Sequence, residues 1–333
     1  MIIKMNKYIV ALLCLVVASC AGIVDTDAVQ EGVLTLTPDV EKVFADGKQT
    51  VTFTVMDGDK DITSESVIEC VTTGEDLEDA IFSTDSPGEY VFKASYDKKT
   101  SKTVSVTAMF ASKFKRQVCV MEFTGVWCAQ CPGGAQILNF LISDLYKGKI
   151  NALAFHNNDV YALPVEQVLA SEFNVVTYPS YVTDMRDSGE LNGNGCSNSI
   201  WKSLNETETF SGPSVSCVYD AASGNVTVNA KIASEKTMEY RLAAYVVEDK
   251  VTGNQTLGTG SVQKDYTHRH MVRKMLSADY SGDRLGQIAK DSEAEKEYTF
   301  TLDPSWDPEY VSVVILAIGP DGEVNNSAST EIK

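Results

Sequence analysis

Val118–Leu141 reads VCVMEFTGVWCAQCPGGAQILNFL. An apolar, β-rich run ends in Trp127-Cys128-Ala129-Gln130-Cys131-Pro132, and a helix-like sequence follows. That order sets two cysteines, three residues apart, where a strand hands over to a helix N-terminus. The first N–H groups of a helix lack internal partners, and the helix dipole adds partial positive charge there. Both effects favour a thiolate, so Cys128 is expected to ionise more readily than an ordinary cysteine, with Cys131 one turn on to close a disulfide with it.

Working outward, the strand Val118–Thr124 and a helix to about Lys147 are followed by a strand Ile150–His156 and a helix Leu163–Phe173. Then come a strand Ser180–Thr183, a short strand near Glu190–Leu191 and a helix Asn198–Glu208. The order β-α-β-α-β-β-α implies parallel strands in its alternating part. Val120-Met-Glu-Phe-Thr-Gly-Val-Trp-Cys-Ala-Gln-Cys resembles the active-site strand and turn of the thioredoxin superfamily, and Asn174-Val-Val-Thr-Tyr-Pro-Ser-Tyr-Val resembles its second landmark, a strand opened by a cis-proline.

That resemblance implies roles. Cys128 matches the attacking thiol and Cys131 the resolving thiol. Trp127 precedes the pair, and Pro179 matches the cis-proline that leaves backbone groups of Tyr178 free to meet a bound peptide. Glu122 stands where the family places a buried acid that takes the proton of the resolving cysteine. From the residues alone Glu122 is either that acid, with a raised pKa suited to proton transfer near neutrality, or a solvated carboxylate at a strand end. The cysteine pair is likewise either a reactive dithiol or a static disulfide in a fold reused as a scaffold. Ala129-Gln130 replaces the family's Gly-Pro, and Gly133 and Gly134 predict a loose or kinked helix start, since each costs roughly 1 kcal/mol against alanine.

At the N-terminus, Lys4 and Lys7 precede an apolar run, Tyr8–Ala18, too short to span a bilayer and suited to a signal peptide. Val17-Ala18-Ser19-Cys20 resembles the lipobox of bacterial lipoproteins, which implies cleavage before Cys20, a diacylglycerol on its sulfur and an outer-membrane anchor. The formal charge of −18 argues against nucleic acid or anionic lipid as a partner. Six of the eight cysteines remain after the signal and the lipidated residue, too few for a disulfide scaffold of this length. Cys119 reads as a buried thiol inside a strand, Cys70 has no evident partner, and Cys196 and Cys217 are candidates for a stapling disulfide.

Residues 32–108 alternate as short strands with turn signals, Asp57-Gly58 among them, and resemble bacterial immunoglobulin-like modules. Asp57, Asp59 and Asp61 alternate like calcium ligands, but Ile62 and Ile68 stand where a calcium loop needs Gly and Glu, so a polar hairpin tip is the better reading. Strands return from Gly212 onward, with Thr256–Glu293 expected to hold long loops. His268 and His270 would share one face of a strand, and with His156 far off in sequence they read as a structural polar patch. No metal and no cofactor is called for.

The domain plan is therefore a signal peptide (1–19), an acylated linker (20–31), an immunoglobulin-like β-sandwich (32–108), a central thioredoxin-like fold (109–210) and a C-terminal β-sandwich (211–333). With the Tyr266-Thr-His-Arg-His-Met-Val-Arg segment, the chain resembles the outer-membrane-protein-twenty-eight-related lipoproteins of Gram-negative bacteria over about residues 109–333. The resemblance implies an outer-membrane lipoprotein of the cell envelope. Two functions follow: a thiol–disulfide oxidoreductase acting on thiols or disulfides of exported proteins, or with an envelope redox partner; and a non-catalytic surface-binding or envelope-assembly protein. The sequence leaves the oligomeric state undefined.

Overall fold

The structure is a computed structural model describing residues 30–332, with side chains from residue 34. The signal segment and Cys20 lie outside the described residues. Among the described residues no helix is long and apolar enough to cross a membrane.

The first ten strands form an all-β module: β1 Gln30–Pro38, β2 Lys42–Phe44, β3 Val51–Asp57, β4 Lys60–Asp61, β5 Val67–Cys70, β6 Glu75–Asp76, β7 Ile81–Phe82, β8 Gly88–Tyr96, β9 Lys99–Ser101 and β10 Val104–Met109. Alternation explains it. In β3, Val51, Phe53 and Val55 are buried while Thr52 and Thr54 face water. Phe53, Phe82 and Phe92 meet at the centre, with Phe53 and Phe92 ring centroids 4.6 Å apart. Gly58 turns β3 into β4 at φ +60°, where glycine carries no steric cost, and Asp57 takes an ion pair from Lys99 at 2.7 Å.

The second sheet carries the cysteine pair. Its elements are β11 Val118–Thr124, α1 Cys131–Phe140, β12 Ile150–His156, α2 Pro164–Glu172, β13 Ser180–Thr183, β14 Asp187–Glu190 and α3 Gly195–Asn205. β11 and β12 are parallel from Val118 opposite Ile150 to Thr124 opposite His156, and β13 runs antiparallel to β11 on its other side. Every residue of β11 and β12 is buried, as a sheet covered on both faces requires. Cys119, Met121 and Phe123 face one core with Leu153, Phe155 and Tyr245. Val118 and Val120 face the other, under Leu138 of α1 and Ile200 of α3.

The remaining strands are β15 Ser211–Asp220, β16 Asn225–Ser234, β17 Met238–Glu248, β18 Val251–Thr256, β19 Val262–His268, β20 Met271–Met275, β21 Asp283–Ile288, β22 Ser292–Thr301, β23 Val311–Ile318 and β24 Val324–Glu331. The sheet does not stop at residue 210. Its order is β14-β13-β11-β12-β20-β17-β23-β24, and the Ala154 N–H donates to the His270 carbonyl at 2.7 Å. β20 covers what would otherwise be the open edge of β12. β17 and β23 are thus buried twice: Ala243, Tyr245, Val314 and Leu316 against β11 and β12, and Leu242, Ala244, Val313 and Ile315 against a second sheet, β15-β16-β22. Among the described residues the molecule is β-rich, with several sheets and three α-helices.

Residues 256–293, expected as long loops, hold β19, β20 and β21 and the start of β22. β18 and β19 pair as an antiparallel hairpin of mostly polar residues. It lies over a loop instead of an apolar core, so no hydrophobic alternation marks it.

Candidate functional site

The turn after β11 brings the two cysteines together as a disulfide, with Cα atoms 5.4 Å apart. Cys128 and Cys131 are only 4% and 2% exposed. The N–H of Cys131, at the start of α1, is shared between the Cys128 sulfur at 3.1 Å and the Cys128 carbonyl at 3.3 Å. The carbonyl oxygen of Tyr178 stands 3.5 Å from the same sulfur, immediately before a cis Tyr178–Pro179 bond.

α1 starts at Cys131 and runs through Gly133 and Gly134. A Cβ on Gly134 would sit 2.8 Å from the Pro179 ring and 3.2 Å from Leu191, so the missing side chain is what lets α1 approach the proline. A groove of about 520 Å³ runs beside the turn between Gln130, Ile137, Tyr178, Pro179 and Leu191.

Glu122 is buried, 4% exposed, on the face of β11 that α1 covers. Burial alone raises its pKa to about 8, and its Oε1 has no hydrogen-bond partner. Of the two readings left open by the sequence, the solvated strand-end carboxylate is therefore set aside. Trp127, 46% exposed, leans edge-on to Tyr178 and donates from its indole to the Asn157 carbonyl at 2.8 Å.

Two residues essential to this frame carried no sequence signal. Glu166, buried at the start of α2, accepts from the Tyr178 hydroxyl at 2.5 Å and from the Asn157 side chain at 2.8 Å, tying the two aromatics to one carboxylate. Gln255, on β18, sets its amide nitrogen 2.9 Å from the Cys128 carbonyl and 3.3 Å from that of Gly125. The Thr256 N–H adds a bond to the Val126 carbonyl at 2.7 Å. The polar hairpin β18–β19 thus clamps the backbone of the cysteine turn. Backbone carbonyls have no sequence identity, so nothing in the sequence announced such a clamp.

The other sulfurs are separate. Cys70, Cys119, Cys196 and Cys217 are free thiols. The expected Cys196–Cys217 staple does not form, because Cys196 lies in the core beneath α3 and Cys217 on β15 packs against the C-terminal core. Burial pushes the Cys196 thiol up to about 12 and that of Cys119 well above its usual value. His268 and His270 do not share a strand face, since His270 turns at φ +52° between β19 and β20. Among the described residues no set of three side chains is arranged to hold a metal.

Fold and site together define a β-rich, multi-sheet protein with a buried Cys-X-X-Cys disulfide on its central sheet. The model of the outer membrane protein Omp28 family matches residues 166–333, half of the chain, and the chain belongs to that family. This is accordingly a protein of the cell envelope, at the outer membrane. Among solved structures it is similar to HBP35 of Porphyromonas gingivalis, with a TM-score of 0.57 and 20% identity over 67% of this chain and 77% of that one. At that identity the likeness is one of fold. No curated protein matches the chain.

Proposed function

We propose that this outer-membrane protein is a lipoprotein, anchored through Cys20, whose residues 109–210 form a thioredoxin-like domain catalysing thiol–disulfide exchange on exported proteins. The immunoglobulin-like module of residues 32–108 holds that domain away from the anchor, and residues 211–333 complete its sheet. The observation that carries the reading is the Cys128–Cys131 disulfide at a helix N-terminus, beside the Tyr178 carbonyl, with a buried Glu122 whose Oε1 has no partner on the strand that leads into the turn.

The chemistry follows from those positions. The Cys128 thiolate attacks a substrate disulfide, one sulfur leaves as a thiolate, and a mixed disulfide forms. Cys131 then gives its proton to Glu122 and attacks the Cys128 sulfur. The second substrate thiol departs with the electron pair of the broken bond, leaving Cys128 joined to Cys131. Run backwards, the same steps oxidise a substrate dithiol. The groove beside Tyr178 and Pro179 suits an extended segment of polypeptide, and Trp127 offers it an aromatic edge.

Disulfide exchange measured with insulin and dithiothreitol tests this: Cys128→Ser is expected to abolish the activity, and an unchanged rate defeats the proposal. A second reading, a scaffold for binding or envelope assembly, is favoured by the clamp of Gln255 over a nearly inaccessible disulfide. A reduction potential below about −300 mV would mark such a static bond.

A further inference from the structure

The chain has three histidines, and all three border one cavity. His156 ends β12, His268 ends β19, and His270 follows in the turn to β20. Glu122, the buried acid of β11, lines it too, together with Tyr266 and Arg269. The cavity measures about 20 Å³. A single water needs roughly 10–15 Å³ and two or more polar partners, which Glu122, Thr124, Tyr266 and the imidazoles supply.

The histidines differ in what backs them. His156 is 4% exposed, and its Nδ1 lies 2.8 Å from Oδ2 of Asp159. Asp159 is fixed in turn by the N–H groups of Val126 and Tyr161. A carboxylate on Nδ1 leaves Nε2 as the site that takes or gives a proton, and it stabilises the imidazolium so formed. His268 has no carboxylate on its ring. Its Nε2 meets the Asn254 carbonyl at 3.2 Å, and burial with His156 beside it lowers its pKa to about 4. His270 turns toward Asp249, whose Oδ1 is 3.5 Å from its Nδ1.

We propose that His156, oriented by Asp159, exchanges the proton of Glu122 through one water in this cavity and so connects the dithiol site to a second acid–base group. The inference rests on the redox reading above. In the step concerned, Cys131 attacks the Cys128 sulfur of a mixed disulfide and its proton goes to Glu122. The departing thiolate takes the electron pair, and Glu122 passes the proton through the water to Nε2 of His156. No electrons move in the relay. The ionisable groups around it are Glu122 from β11, Cys196 from α3, Asp159 and Tyr161 from the loop after β12, Tyr266 and His268 from β19, and Arg269 and His270 from the following turn.

The test is single-turnover closure. The reduced full chain is loaded with glutathione at Cys128, and glutathione release is followed from pH 5 to 9 by acid quench and mass. His156→Ala is expected to slow release about tenfold below pH 8, less than the loss of a direct general base, and added imidazole should restore it. Should that variant fail to fold, Asp159→Asn is expected to slow release over the same range, because the imidazole loses the carboxylate that orients it. An unchanged profile, a slowing that imidazole does not relieve in His156→Ala, or an unslowed Asp159→Asn overturns the relay. If the wild-type chain itself releases no glutathione at any pH, the redox reading fails instead.

Discussion

Cys119 and Cys128 belong to one strand and the turn that leaves it, and both are almost sealed from water, at 0% and 4% exposure. Their chemistry differs all the same. Cys119 sits inside β11 with its backbone N–H committed to Asp184 at 2.8 Å, and burial with that carboxylate drives its thiol pKa upward. Cys128 lies beyond the strand end, where the N–H of Cys131 reaches its sulfur as well as its carbonyl. On the redox reading proposed above, burial does not sort reactive from inert sulfur in this protein. What sorts them is whether the backbone nearby has donors left over, as a helix start does and a strand interior does not.

The largest test of that contrast exchanges the two kinds of cysteine. Cys131→Ser should trap a glutathione adduct on Cys128 that never resolves, seen as a stable mass increment. Cys119→Ser should leave adduct formation and release unchanged. Its cost should fall on folding instead, about 1–3 kcal/mol in denaturant melts for a hydroxyl buried where a thiol packed. A Cys119→Ser chain with altered exchange but native stability would break the comparison.

Glu122 sharpens it next. Its pKa rises from 4.5 to about 8 in the folded chain because its charge is desolvated. The folded state therefore holds this proton more tightly than the unfolded chain does. Stability is fullest below pH 4.5, falls as pH rises toward 8, and then levels off. At pH 7 the penalty is on the order of 3 kcal/mol. Glu122→Gln should remove it: the variant melts higher than wild type at pH 7–8, and the two converge near pH 4.5. Equal slopes against pH would mean that the carboxylate is solvated after all.

Much of this was legible because each element answers to a local rule. Val118–Thr124 and Ile150–His156 are mostly apolar runs, and both strands are buried on both faces. The cysteine turn could be placed from residue type and spacing, whereas Pro179 and Glu122 were placed by the family resemblance, with the burial of Glu122 left open. The features that were not legible depend on distant backbone or on convergence. The loop before α2 was unmarked, yet Asp159 there holds His156. His156 and His268 are far apart in sequence, and their rings lie 5.2 Å apart only because β20 pairs with β12. The Cys196–Cys217 staple was misread for the same reason, since closeness to a boundary in sequence says nothing of which core a side chain enters.

The smallest expected effect concerns the clamp. Gln255 is buried, and its amide is the polar partner facing the carbonyls of Gly125 and Cys128. Gln255→Ala removes one donor from each carbonyl, which keep the N–H groups of Cys128 and Cys131, while the Thr256 bond to Val126 persists. The loss should be about 1–2 kcal/mol of stability, the scale of a buried neutral hydrogen bond. Because the turn opens more often when the hairpin is less firmly held, dithiothreitol should reduce Cys128–Cys131 about threefold to tenfold faster, as local opening dictates. The free thiols offer the internal control: alkylation of Cys119 and Cys196 in the native chain should stay as slow as in wild type. Faster labelling there would mean that the whole sheet had loosened, and the clamp would then be a fold contact and not a gate on the dithiol.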